Sequence, residues 1–397
     1  MPYAITSCCR RSQYGINMRL LTDLFVEKLN NYGTLHKMHQ ETTFTEQRHA
    51  IPTTIVDNGL MGADHEVLTT DGWKSISTVS LEDKVACLEN DKVIYRHPIQ
   101  LLHYNNYKGR MYKIKNEHID LEVSPNHRML VSKEFGTKKK WLSHALEKAE
   151  GIKGKHRKYK KDGLWERDDY QFTLPAIDDI PEKAVDMQSW LLFSGIWLAN
   201  RFTRNIGEIY IPHRKRNVIG ALLTALEKLE VDFSVLGGSY YKFFIEDKQI
   251  LKFLSESLYG CLPDWTWELS AGQARALINA LLLGSGSKSN SLKFSTSSEG
   301  LARDFMRLCL HAGWSAIMTE IQKELWDPIS DEQISCGDYQ LEIVKSKNSP
   351  AVNQRFPKTQ EEELFDFEGP VYGLSVPLDI FYISRNGKPC WTGGSHQ

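Results

Sequence analysis

Residues 121–131 read LEVSPNHRMLV, two short apolar runs separated by Ser124-Pro125-Asn126-His127. Pro and Asn punctuate a chain at turns, and the flanking Leu, Val and Met residues suit half-buried strands, so the stretch specifies strand, turn, strand. Upstream of it, from Asp64, the same texture repeats in HEVLTTDGW, SISTVS, KVACLE, VIYRHPIQLLHYNN and GRMYKIKN, each run bounded by Gly, Asp or Asn. A compact, mostly antiparallel β domain is expected over 64–132. Far downstream the β pattern returns, from Tyr339 in YQLEIVKS and over 369–394 in GPVYGLSVPLDIFYISRNGKPCWTGG.

The sequence between these β regions has a different period. After a basic segment, KKKW at 138–141 and KGKHRKYKK at 153–161, apolar residues recur with helical spacing from about Pro181 to Ile317. Two similar blocks follow one another. SWLLFSGIWLANRF leads to the strand candidate EIYIPHRKR and the helix VIGALLTALEKLEVDF, while ARALINALLLGSGSK leads to SLKFSTSSEG and the helix LARDFMRLCLHAGWSA. A helix, strands, helix unit repeated within one chain implies a pseudo-symmetric α/β domain. The order β, α/β, β is most simply an insertion inside a β domain. Residues 1–59 stand apart, with a helical signal over Asn17–Leu29 and no pattern that suggests chemistry.

Bulk properties bound the function classes. A chain of 397 residues, 41% hydrophobic, exceeds one ordinary core and is too apolar for disorder. Lys+Arg 49 against Asp+Glu 50 leaves a net charge of −1, so nucleic-acid affinity has to come from local patches. Seven cysteines without CxxC spacing (Cys8, Cys9, Cys87, Cys261, Cys309, Cys336, Cys390) read as free thiols in a reducing compartment and offer no zinc site. The N-terminus lacks a signal peptide's apolar core, and no run reaches the roughly 18 apolar residues of a membrane span. An intracellular monomer with no membrane partner is expected.

DHEVLTTDGWKSI at 64–76, LEVSPNHRMLV and VYGLSVPLDIFYISRNGKPCWTGGS at 371–395 resemble, in order and spacing, the characteristic blocks of inteins, the protein-splicing elements. The paired helices between them resemble the LAGLIDADG blocks of the homing endonuclease that many inteins carry. The resemblance implies a mainly β horseshoe of the Hint (hedgehog-intein) type with an inserted α/β pseudo-symmetric domain. It divides the chain into an upstream flank (1–59), splicing-domain pieces (60–135 and 336–394), a basic linker or DNA-recognition region (136–180), an endonuclease-like domain (181–335) and a three-residue downstream flank (395–397).

The family's chemistry attacks an upstream peptide bond, helped by a Thr/Ser-x-x-His element that polarises the bond and protonates the departing amine. Ser124 and His127 match that element, and Ser395 matches the downstream acceptor nucleophile. Other positions depart from the family. The first intein residue falls at Leu60, or at Ala63 if the junction immediately precedes the DHEVL run, and neither side chain can attack a carbonyl. Gly394 occupies the place of the terminal Asn, Gly393 that of the penultimate His, and Gly373 that of a Cys or Asp. In the endonuclease blocks Asn200 and Ser285 replace the acids that hold a divalent cation, with Arg201 following the first. Splicing calls for no cofactor, and Mg2+, which an active endonuclease would require, is doubtful with both acids replaced.

The expected partners are the chain's own flanking segments and double-stranded DNA. His213, Arg214, Lys215 and Arg216 follow a strand candidate, where the family lays a ribbon in the major groove, while Lys155, Arg157, Lys158, Lys160 and Lys161 could meet phosphates. The leading expectation is a precursor inactive in both splicing and cleavage. Alternatives are a DNA-binding protein acting through the central domain, a hedgehog-type autoprocessing domain, and a purely structural repeat protein.

Overall fold

The computed structural model describes residues 59–136, 140–200, 206–256, 260–285, 292–327, 332–346, 348–354 and 359–395. The helical signal at Asn17–Leu29, Cys8, Cys9 and Arg201 lie outside them. All described residues belong to the compact unit spanning 56–397.

Alternating apolar residues build two β layers. In the first, β1 (Met61–Gly62), β6 (Gln100–Lys115), β7 (Asp120–Val123) and β21 (Glu361–Ser375) close into a ring, with β21 antiparallel to β6 along nearly their whole lengths. The second layer runs through β2 (His65–Thr69), β3 (Gly72–Ser75), β4 (Val85–Glu89), β5 (Lys92–Arg96), β8 (Arg128–Phe135), β22 (Ile380–Arg385) and β23 (Lys388–Gly393). The β4–β5 turn at Asn90-Asp91 and the β22–β23 turn at Asn386-Gly387 both have two residues at positive φ, the conformation that matches the twist of a tight hairpin. Their side chains fill one core around Val67, Tyr112, Val123, Met129, Leu374, Phe381 and Cys390.

The segment read as a basic linker proves to be part of this sheet. β9 (Lys140–Trp141), β10 (Ala145–Lys148) and β11 (Arg157–Tyr159) all pair with β8, and β20 (Ala351–Val352) adds to β11. Three of the basic side chains in and next to β11 are engaged by neighbours. Arg157 chelates Glu147 through two nitrogens at 2.9 and 3.1 Å, Lys158 lies 4.0 Å over the Trp141 ring, and Lys160 reaches Asp91 and Asp162.

The hairpin β12 (Thr173–Leu174)–β13 (Lys183–Ala184) leads into the α/β region. Its first half is α1 (Met187–Asn200), β14 (Glu208–Pro212), α2 (Arg216–Lys228), β15 (Phe233–Leu236) and β16 (Tyr240–Ile245), followed by α3 (Lys248–Glu256). Its second half is α4 (Ala271–Gly284), β17 (Lys293–Thr296), α5 (Glu299–His311), β18 (Ser315–Asp327) and β19 (Glu332–Val344). Each half is helix, strand, helix, hairpin. Each three-stranded sheet places its first strand beside its last, in the orders β14-β16-β15 and β17-β19-β18, so the sequence repeat is a repeat of topology. The boundary expected at 335 falls inside β19, and the α/β region extends to Val344. YQLEIVKS pairs with β17 and β18 and belongs to this region.

Helices α1 and α4 cross closely. A Cβ built at Gly195 would overlap Ala280, and one at Gly284 would lie 2.7 Å from the Ala199 Cβ and 2.8 Å from the Ile196 Cα. α1 is apolar on most of its circumference and buried on most of it, as expected of a central helix.

Candidate functional site at two paired junctions

The turn after β7 holds the site. Its Ser124 amide donates to the Leu60 carbonyl at 2.8 Å, and the Leu60 amide donates to the Ser124 hydroxyl oxygen at 2.8 Å. One residue therefore grips Leu60 at both backbone groups. The His127 amide donates back to the Ser124 carbonyl at 3.0 Å, closing the Ser-Pro-Asn-His turn and turning the imidazole inward. Ser124 and His127 are both fully buried.

His127 Nε2 lies 2.6 Å from Thr392 Oγ1, and the Thr392 hydroxyl also lies 3.0 Å from the Arg128 carbonyl. The other ring nitrogen, Nδ1, is buried. That nitrogen lies beside Gly59, 3.6 Å from where a Cβ would stand.

The end of the β region reaches the same place. The Gly394 amide donates to the Asp379 carbonyl at 2.6 Å and the Ser395 amide to the Leu374 carbonyl at 2.8 Å, which carries the chain past β23 into the ring layer. The Ser395 hydroxyl, almost wholly buried, donates to the Gly59 carbonyl at 2.7 Å, across 336 positions of sequence. The Gly394 carbonyl accepts from Arg128 Nη2 at 2.8 Å, and the same nitrogen lies 3.2 Å from the Asp379 carboxylate. Ser375 Oγ donates to the Ser395 carbonyl at 2.7 Å.

Of the expected site residues, Ser124, His127, Leu60, Gly394 and Ser395 converge. Ala63 does not: it is exposed on the turn into β2, so the amide at the Ser124 hydroxyl is that of Leu60. At Gly373 and Gly393 a side chain would clash with its surroundings, whereas Gly394 has more room. A Cβ at Gly373 would stand 2.5 Å from the Ser395 hydroxyl, and one at Gly393 would meet the Arg128 Cβ at 2.8 Å and its carbonyl at 3.0 Å. A Cβ at Gly394 would lie 3.0 Å from the Leu374 carbonyl, which a shift of a few tenths of an ångström accommodates.

Arg128, Thr392 and Arg385 were not legible as site residues. Arg128 stands next to His127 and could have been found from that adjacency. Thr392 and Arg385 are recognised only once the hairpin is folded. Arg385 joins Asp64 at 2.6 Å, Asp120 at 2.5 Å and Glu122 at 2.9 Å, and so fastens the start of the domain and β7 to the last hairpin. Burial alone would raise the Asp64 carboxyl, but the His65 hydrogen bond and the Arg385 charge outweigh it and hold the group well below the usual carboxylate range.

In the α/β region, α1 and α4 end side by side. Asn200 Nδ2 donates to the Ile196 carbonyl at 2.8 Å and the Gly284 carbonyl at 3.3 Å, Ser285 Oγ donates to Leu282 at 3.1 Å, and Lys215 Nζ lies 3.4 Å from the Leu283 carbonyl. The side chains gathered at these two helix ends are neutral, apart from the Lys215 ammonium. Among the described residues no group of His, Cys, Asp and Glu could hold a metal ion.

The basic residues fall into two sets. His213, Arg214 and Arg216 are exposed beyond β14, and Lys215 is half-buried. Of the earlier run Lys155 is exposed, whereas Arg157, Lys158 and Lys160 are engaged as described. Lys161 is a correction: it is 1% exposed, its Nζ donates to the His118 carbonyl at 2.9 Å, and it cannot reach a phosphate. Among the described residues Cys87, Cys261, Cys309 and Cys390 are free thiols, and no helix is long and apolar enough to cross a membrane.

No family model matches the chain. It is 34% identical, over 392 residues, to the DNA-directed RNA polymerase subunit beta C-terminal section of Stigeoclonium helveticum, covering 84% of this chain and 36% of that protein. It is 28% identical, over 460 residues, to the ATP-dependent Clp protease proteolytic subunit of Chlamydomonas moewusii, covering 84% of this chain and 45% of that one. The chain thus spans less than half the length of either curated relative. Among solved structures it is similar to a splice-inactive variant of the AceL NrdHF class 3 split intein, at a TM-score of 0.27 and 11% identity, over 85% of this chain and 99% of the other.

Proposed function

We infer that the chain is a protein-splicing element, an intein with an endonuclease-like insertion, held before release of its flanks. The observation that carries this reading is the 2.7 Å hydrogen bond from the Ser395 hydroxyl to the Gly59 carbonyl, with the next amide, Leu60 N–H, on Ser124. Two junctions, 59–60 and 394–395, meet in one buried site. The curated relatives lend support of another kind. A polymerase subunit and a protease subunit share no named activity, yet their matches each cover 84% of this chain and must overlap over at least two thirds of it. A segment common to unrelated hosts serves neither host's chemistry, as an inserted element would.

In this reading the upstream bond is attacked by Ser395, Leu60 having no nucleophile of its own. Ser395 Oγ adds to the Gly59 carbonyl carbon, the Gly59–Leu60 C–N bond breaks, and the hydroxyl proton passes by way of His127 Nδ1 to the departing Leu60 amine. Ser124 orients that nitrogen. The product is a branched ester of unchanged mass. Gly394 has no side-chain amide with which to cut the second bond, so the process stops there and splicing is not completed.

Treatment with hydroxylamine tests this reading, because it cleaves an ester at neutral pH, and accurate mass separates the resulting 60–397 fragment from the 59–397 fragment that slower cleavage at Asn58-Gly59 would give. A fragment of residues 60–397 is expected from the parent chain and not from Ser395→Ala. If the parent and a doubly restored Leu60→Cys, Gly394→Asn variant both stay intact, the splicing reading falls. A hedgehog-type domain is disfavoured because the group on the Gly59 carbonyl comes from the downstream end.

A second reading, duplex DNA binding without metal-dependent cleavage, draws on the two topological halves and on exposed His213, Arg214 and Arg216. Salt-sensitive retardation of duplex DNA that weakens in an Arg214→Ala, Arg216→Ala variant is the expected result.

A further inference from the structure

The residue before the upstream junction sits in a conformation that side chains disfavour. Gly59 is buried and has φ +94°, where an L-residue's Cβ is sterically strained. A Cβ there would also contact the backbone of the catalytic turn, 3.4 Å from the His127 Cα, 3.6 Å from its Nδ1 and 3.8 Å from the Ser395 Cα. The carbonyl is held by Ser395 and the following amide by Ser124, so the peptide on the C-terminal side of Gly59 cannot rotate away without breaking both hydrogen bonds. We propose that the acyl site for the upstream segment is specific for a C-terminal glycine, selected by backbone handedness more than by side-chain size. The inference rests on the splicing reading and adds its substrate class: a segment whose last residue is glycine.

Handedness and size make different rankings. Asn tolerates positive φ better than Ala although it is larger, and the β-branched Val tolerates it least. The 60–397 fragment released by hydroxylamine at neutral pH, distinguished by mass from the 59–397 product of Asn58-Gly59 cleavage, is measured over time for the full chain carrying Gly59, Gly59→Asn, Gly59→Ala or Gly59→Val, with thermal melting of each variant to verify folding. The rate is expected to fall about tenfold for Ala, less for Asn and further for Val. Ala and Val variants that form ester at the parent's rate overturn the specificity while leaving the splicing reading intact. A ranking of Ala above Asn overturns selection by handedness. Absence of fragment from the parent itself counts against the splicing reading, and the Leu60→Cys form of the same four chains, cleaved by added thiol at 59–60, then ranks the residues through a second nucleophile.

Discussion

At the scale of single residues, the geometry of the site rests on a few buried side chains, each holding a neighbour by hydrogen bonds. Thr392 Oγ1 lies between His127 Nε2, at 2.6 Å, and the Arg128 carbonyl, at 3.0 Å, and so orients the imidazole. Thr392→Val should leave the fold standing and reduce hydroxylamine-released fragment by roughly ten- to a hundredfold, the range expected when a base loses its orienting partner; an unchanged rate would remove His127 from the proton path. Lys161 makes a separate prediction. Burial pushes its amine down to about 7 from the ordinary lysine value, with the nearby Cys390 opposing and Lys388 adding to the shift. Between that value and about 10.4 the unfolded chain binds more protons than the folded one, so stability rises with pH across this window and the penalty is complete below it. Lys161→Met should therefore raise the melting temperature at pH 6 and do so much less at pH 10. Ser124 and His127 were legible because their spacing is local and their turn is punctuated by Pro125 and Asn126. Arg128's contact with Gly394 was not, since it depends on where β23 ends.

At the scale of elements, the strand runs of both β regions were readable from short apolar runs bounded by turn residues, and the repeated helices from their period, although their caps were not read. Ser270 and Gln273 form a capping box on α4, and Ser298 caps α5, at the places where the helical patterns begin. The basic stretch at 153–161 misled because a run of charges resembles a linker, whereas Arg157, Lys158 and Lys160 meet Glu147, Trp141 and Asp91, contributed by other segments. The Arg385 clamp shows the same dependence on distant partners. Arg385→Met would leave Asp120, which is fully buried, without its counter-ion. A loss of about 3–5 kcal/mol is expected in chemical denaturation, the usual cost of breaking a buried pair from one side. Less than 1 kcal/mol would mean that Asn386 alone satisfies the carboxylate.

At the scale of the whole molecule, the α/β region is joined to the β layers through α5. Arg303 pairs with Glu66, Arg307 donates to the Thr70 carbonyl at 2.7 Å, and His311 stacks 3.9 Å from Trp165 while bonding the Tyr95 hydroxyl at 2.9 Å. The order β, α/β, β was legible as an insertion, but this seam joins residues hundreds of positions apart and leaves no local trace. What the topology accomplishes is to return the chain, after the entire α/β region, to within a hydrogen bond of Gly59.

That closure is tested most directly by the denatured mass of the Gly394→Asn chain, which supplies the side-chain amide missing at the second junction while leaving Leu60 in place. Ser395 attack followed by Asn cyclisation should convert the 45.6 kDa chain into the excised 60–394 segment and a joined flank of 1–59 with 395–397. Ser395→Ala in the same chain should abolish the joined product. A Gly394→Asn chain that stays whole, or joins its flanks equally well without the Ser395 hydroxyl, would contradict the account.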